Sequence, residues 1–169
     1  MTAKILNRLY VIIFSLSLLF SGCSQGNTEK SIVTDFTTSF TSQYRGLELK
    51  GKIGTARQGI TNITITSPET LKGLSVCYKN SEMEISQENL ICSADEAYIP
   101  KKSFPSIVKE ILNSVAKGNA KISSKNDNGS TYSLKTAYGG CALRVDKEGY
   151  ITQINCIDID FEIKFSDIK

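Results

Sequence analysis

Three acidic residues near the end of the chain alternate in sequence: Asp158, Asp160 and Glu162. In an extended strand they would share one face at intervals of about 7 Å, where they could ligate a cation or work as an acid and base pair. Lys164 continues the row, which favours a solvated outer strand face. The sequence contains no histidine, and this excludes a Ser-His-Asp triad, a Cys-His dyad and a His-ligated zinc. We therefore expect no catalytic residue, no metal site and no cofactor.

Cysteine spacing is the second feature that could support chemistry. Cys77, Cys92, Cys141 and Cys156 form two sequential pairs, each with a spacing of 15 residues, and no CxxC motif is present. A turn over residues 146–149 would make Cys141 and Cys156 diagonal neighbours, which is marginal geometry for a disulfide unless a bulge shifts the register. The four cysteines allow three pairings, so the sequence leaves open at least one disulfide or a set of buried structural thiols.

The charge balance excludes one broad class of partner. The 169 residues carry 20 basic and 17 acidic side chains, for a net charge of +3. A net charge this small gives no case for nucleic-acid binding. The length fits one domain.

The N-terminal segment is typical of an export signal. Lys4 and Arg8 precede a largely apolar run from Leu9 to Phe20, which is shorter than the roughly 20 residues that a membrane-spanning helix needs. Ser21 and Gly22 then lead to Cys23, and this ending resembles the lipobox of bacterial lipoproteins. The resemblance implies cleavage after residue 22, a diacylglyceryl group on Cys23, a tether over residues 23–30 and anchoring at the outer face of the cell membrane.

Hydrophobic periodicity predicts the elements that follow. Ile32, Phe36, Phe40 and Tyr44 recur every four residues, which predicts a first helix over residues 31–44. Alternating segments predict strands over residues 60–66 and around 74–78, and a return strand from Met83. Residues 150–165 are expected to form one long strand, with a bulge between residues 154 and 157 where the apolar face changes phase.

The second predicted helix spans residues 103–118. Ser103 suits the N-cap, Pro105 suits the first turn, and Gly118 suits the stop. Its apolar face, which is expected to pack into the core, consists of Phe104, Ile107, Val108, Ile111, Leu112 and Val115. Lys109 is expected on the opposite, solvated face.

This order of elements predicts an α+β fold with a curved antiparallel β-sheet, an incomplete barrel, packed over two helices. It resembles the LolA/LppX-like superfamily and looks closest to small lipoproteins of clostridia and other Gram-positive bacteria. The resemblance covers a single domain over residues 31–169 and is carried by residues 36–46, by 67–74, by Ile99-Pro100 and by Gly149-Tyr150-Ile151. Members of that superfamily carry lipoproteins or lipids, and one clostridial branch supports spore-cortex processing through a protein partner.

Two functions are compatible with these observations. The first is a non-enzymatic, membrane-anchored protein that binds a lipid, acyl chain or other apolar ligand in the concave face of its sheet, lined by Ile107, Ile111, Phe161 and Ile163. The alternative is a scaffold or cofactor for another exported protein, such as a cell-wall or spore-cortex enzyme. An open apolar cavity would favour the first function. A packed interior with an exposed apolar patch or a bare sheet edge would favour the second.

Overall fold

A computed structural model describes residues 31–56, 59–79 and 81–168. Within these ranges the chain forms one antiparallel sheet of eleven strands and one α-helix, α1 (Phe104–Ala116). The spatial order of the strands is β6-β5-β4-β3-β2-β1-β11-β10-β9-β8-β7, so the sheet is open, with β6 and β7 at its two edges. The strands are β1 (Phe36–Tyr44), β2 (Leu47–Ala56), β3 (Ile60–Ser67), β4 (Ser75–Lys79), β5 (Glu82–Gln87), β6 (Leu90–Asp95), β7 (Lys121–Asn126), β8 (Gly129–Thr136), β9 (Gly139–Val145), β10 (Ile151–Cys156) and β11 (Phe161–Ser166).

The α+β fold with an unclosed antiparallel sheet is confirmed, but the first of the two predicted helices is wrong. Residues 36–44 form β1, at the centre of the sheet between β2 and β11. A spacing of four residues also fits a strand, because four is a multiple of two. The intervening positions, Thr38 and Ser42, are buried as well, and their hydroxyls donate to the Ser166 and Glu162 carbonyls of β11. Hydroxyl groups that form hydrogen bonds can occupy a buried strand face. Polar residues therefore stand at buried positions of β1, and its sequence lacks the alternation of apolar and polar residues that identifies a strand.

Helix α1 matches the second predicted helix closely. The Ser103 side chain caps it by accepting from the Ser106 N–H, and Pro105 lies in the first turn. Phe104 packs its ring at centroid distances of 5.6 Å from Phe40 and 5.9 Å from Phe161, which fixes the helix against the middle of the sheet. No helix in the described ranges is long and apolar enough to cross a membrane.

The predicted long strand over residues 150–165 is interrupted. A 3-10 turn at Ile157–Ile159 and Asp160, which has a left-handed backbone at φ 49°, separate β10 from β11. The change in which alternate positions are apolar is therefore produced by this turn. The predicted bulge between residues 154 and 157 is wrong. A register shift does occur earlier, between Ile151 and Gln153, where β10 pairs with β9.

That register shift decides the pairing of two cysteines. Arg144 faces Gln153 and Ala142 faces Asn155, which places Cys141 opposite Cys156 instead of diagonal to it. The two are joined by a disulfide with a Cα–Cα distance of 4.3 Å. Cys77 and Cys92 are unbonded, and they lie on opposite faces of the sheet because Cys92 pairs with Ile85 while Cys77 pairs with Glu84.

Candidate functional site

The concave side of the sheet, which holds α1, is filled by the protein's own side chains. The four residues predicted to line a ligand cavity lie together in one apolar cluster: Ile107, Ile111 and Ile163 are 0% exposed and Phe161 is 2% exposed. Aromatic rings from β1, α1 and β11 pack in the same cluster. Their role as a ligand lining stays a prediction, and it would require α1 to move away from the sheet.

Lys109 does not lie on a solvated helix face, so that expectation is wrong. It is 8% exposed, forms an ion pair with Glu96, and holds its Nζ 4.7 Å from the centre of the Tyr78 ring. The cause is tertiary: a 3-10 turn at Glu96–Tyr98 follows β6 and brings Glu96 against the helix. Burial raises the pKa of Tyr78, whose hydroxyl lies 3.1 Å from Ser106 Oγ. These groups form a satisfied polar layer between α1 and β4.

A cleft of about 550 Å³ opens beside this layer. Tyr138 lines it and donates its hydroxyl to the Lys101 carbonyl. Burial and, secondarily, the Glu110 carboxylate raise the pKa of Tyr138 to about 12. The phenol is therefore neutral at ordinary pH and acts as a hydrogen-bond donor, which is a structural role.

The predicted row of carboxylates is not assembled on one strand face. Asp158 lies in the 3-10 turn and accepts from the Gly140 N–H at 3.0 Å, and Asp160 is the left-handed residue after that turn. Glu162 lies on β11 and pairs with Lys164 at 3.2 Å. Among the residues that the structure describes, no group of three or more Cys, Asp or Glu side chains could hold a metal ion.

The β6 edge leaves two consecutive large apolar side chains in solvent. Leu90 is 79% exposed and Ile91 is 70% exposed, and β6 pairs with β5 in a regular register without a bulge. Residues 81–98, which contain the β5-β6 hairpin, carry five acidic side chains and no Lys or Arg. That charge run was visible in the sequence, but its position at a free sheet edge was not.

Comparisons with known proteins bear on the fold alone. No family model and no curated protein matches the sequence. An uncharacterized conserved protein from Thermus thermophilus is similar in structure, with a TM-score of 0.53 and 10% identity, over 79% of this chain and 77% of that one. A LolA superfamily protein from Nitrosomonas europaea gives a TM-score of 0.40 and 9% identity, over 79% and 84% of the two chains. LprF from Mycobacterium bovis gives 0.34 and 13%, over 79% and 85%.

Proposed function

We propose that this protein is a non-enzymatic, membrane-tethered binding protein that works outside the cytoplasmic membrane and holds another exported protein along its β6 edge. One contrast carries the proposal. The concave interior is packed by Ile107, Ile111, Phe161 and Ile163, whereas the β6 edge leaves Leu90 and Ile91 in solvent. The edge therefore offers exposed apolar side chains to a partner without any rearrangement of the core.

The backbone of β6 is arranged to accept another strand. Glu96 N–H donates to the Ser81 carbonyl at 3.1 Å, which makes 81/96 a hydrogen-bonded pair of the hairpin. Bonded and non-bonded pairs alternate in an antiparallel ladder, so 85/92 and 87/90 are bonded pairs too. The N–H and C=O groups of Ile91 and Ser93 therefore point away from β5, toward the free edge. Unpaired groups of this kind are a template for an added strand.

The opposite edge of the sheet is protected where β6 is not. Strand β7 carries Lys121 and Lys125 and has a register shift between Ile122 and Ser124. Edge lysines and bulges are devices that prevent strand addition. Strand β6 has no Lys, no Pro and no bulge. This difference between the two edges supports strand addition by a partner at β6.

Charge indicates what kind of segment would pair there. The hairpin carries Glu82, Glu84, Glu88 and Asp95 and no basic residue. Lys79 of β4 faces Glu82, and Glu96 is already paired with Lys109. An extended segment that carries both apolar and basic side chains would match Leu90, Ile91 and these carboxylates. We therefore expect the partner to present such a segment.

Cys23 supplies the membrane tether in this proposal, and it lies outside the residues that the structure describes, as do the predicted signal 1–22 and the tether 23–30. We expect labelled palmitate to be incorporated by the wild-type chain in its bacterial host and not by Cys23→Ala. The variant should also remain unprocessed or leave the membrane fraction. Equal labelling of both chains would contradict the anchoring at Cys23.

The partner prediction can be tested at Ser93. Its N–H points to the free edge, so Ser93→Pro removes one donor from the docking edge and leaves the β5 ladder intact. Ser93→Ala is the matched control, because it keeps that N–H. We expect native mass spectrometry of the lipoprotein, gently extracted from its own membranes, to show an exported protein bound to the wild type and to Ser93→Ala. The Ser93→Pro variant should lose it.

A photoreactive side chain at Ile91 provides a second readout in the same cells. We expect it to crosslink to that exported protein, while the same group at Ile122 on the β7 edge does not. Equal crosslinking at both edges, or retention of the complex by Ser93→Pro, would count against the β6 edge.

Binding of an acyl chain or lipid on the concave side is the second candidate function. One observation favours it: Ile107, Ile111, Phe161 and Ile163 lie together between α1 and the sheet, so movement of this single helix would expose a continuous apolar surface. The same mass spectra would separate the two candidates. A co-purifying lipid without a protein, unaffected by Ser93→Pro, would support the concave site.

A further inference from the structure

Three basic side chains meet on the sheet face that points away from α1. Ser133 of β8 pairs with Ala142 of β9 on one side and with Lys121 of β7 on the other. Lys135 lies two residues beyond Ser133, and Arg144 lies two residues beyond Ala142. Residues two apart share a strand face, so all three cations surround the Ser133-Ala142 pair. The inner faces of β8 and β9 carry Leu134 and Leu143 instead, which are buried toward α1.

No carboxylate of the described residues forms an ion pair with these cations. The ion pairs in the described ranges join Lys50 to Glu48, Lys72 to Glu69, Lys109 to Glu96 and Lys164 to Glu162. Asp158 approaches the end of β9, where it accepts from the Gly140 N–H. Glu162, which accepts from Gln153, is already paired with Lys164. Three cations beside one further carboxylate, Asp158, leave an excess of positive charge that attracts anions to this face.

The cations border a trough of about 850 Å³. Its floor is formed by small residues, Gly140, Ala142 and Ser133, and a Cβ added at Gly140 would meet open space. Thr131 contributes a hydroxyl and Asn155 of β10 an amide group along the wall, whereas the Gln153 amide already donates to Glu162. A small floor beneath long cationic side chains and neutral hydrogen-bond donors suits an anion with several acceptor oxygens.

We propose that this trough binds a phosphate-bearing ligand. Arg144 offers a planar fork that matches two phosphate oxygens, and Lys121 and Lys135 supply two further positive charges. The trough is larger than a single phosphate ion, so it has room for an additional group or a further phosphate on the ligand. A phosphorylated polymer of the cell surface and a phospholipid headgroup share this chemistry. This site is separate from the β6 edge, which lies at the other end of the sheet.

Calorimetric titration of the full chain in a nonionic detergent tests the site with two soluble probes. Inorganic tripolyphosphate represents a polymeric phosphate, and glycerophosphoglycerol represents a lipid headgroup. We expect at least one probe to bind, and Lys135→Gln/Arg144→Gln to weaken that binding by about tenfold or more. The probe that binds more tightly identifies the source. Added salt should weaken the binding further.

The matched control is Lys52→Gln/Lys79→Gln. It removes the same charge from exposed positions on the outer faces of β2 and β4, on the other half of the sheet. We expect this control to bind like the wild type, and unchanged circular dichroism in both variants to show that they fold. If probe binding were weakened equally in the two variants, the loss would be due to the change in net charge alone, and this would overturn the proposal. Absence of binding of both probes to the wild type would also overturn it.

Discussion

Replacing Ile111 by Asp is expected to lower the free energy of unfolding by about 3–5 kcal/mol. Ile111 is 0% exposed at the centre of the α1 face that packs on the sheet. A carboxylate there would have neither solvent nor a cationic partner in the apolar cluster, and this is among the most costly single changes. Because native domains are stable by about 5–15 kcal/mol, the variant should melt far below the wild type or fail to fold.

The control for this change is Ala116→Asp, which adds the same carboxylate to an exposed position of the same helix. Its cost should stay below about 1 kcal/mol, arising mainly from a negative charge near the helix C-terminus. Urea titrations followed by circular dichroism measure both values. Similar losses for the two variants would mean that α1 is not packed through the face that contains Ile111.

The second large effect is expected from loss of the Cys141–Cys156 disulfide. The bond links residues 15 apart, and a crosslink that closes a loop of this length stabilises a protein by about 3 kcal/mol, because it restricts the unfolded chain. We therefore expect Cys141→Ala/Cys156→Ala to lose about that much stability. The cysteines are buried beneath the sheet, so a small packing loss adds to it.

Cys77→Ala/Cys92→Ala is the matched control, because it removes two unbonded cysteines with the same sequence spacing. Dithiothreitol should lower the melting temperature of the wild type and of this control, and it should leave the Cys141→Ala/Cys156→Ala variant unchanged. A melting temperature of the wild type that does not respond to full reduction would contradict the stabilising role of the bond.

Local signals were sufficient for several parts of the structure. Ser103 is the N-cap of α1 and Pro105 lies in its first turn, as the sequence predicts. The apolar spacing identifies the buried face of the helix. The alternation over residues 60–66 likewise gave β3. Such features are predictable because cap, turn and periodicity each depend on neighbours in sequence.

Other parts depended on partners that are distant in sequence. Thr38 and Ser42 are buried because β11, more than a hundred residues later, provides carbonyl acceptors for their hydroxyls. Lys109 is buried because Glu96 is carried over the helix by the turn after β6. No pattern near either residue contains that information, since the same side chains would be solvated without the distant partner.

The two candidate surfaces follow the same division. The sequence alone determined that residues 81–98 are acidic, that four cysteines follow Cys23, and that the chain alternates like an antiparallel protein. Only the tertiary structure decided that the acidic hairpin is a free sheet edge, that Cys141 faces Cys156, and that Lys121, Lys135 and Arg144 converge on one outer face. The physical reason is that strand order and register are set by hydrogen bonds and packing between segments far apart in the chain, and a shift of one residue changes which side chains face one another.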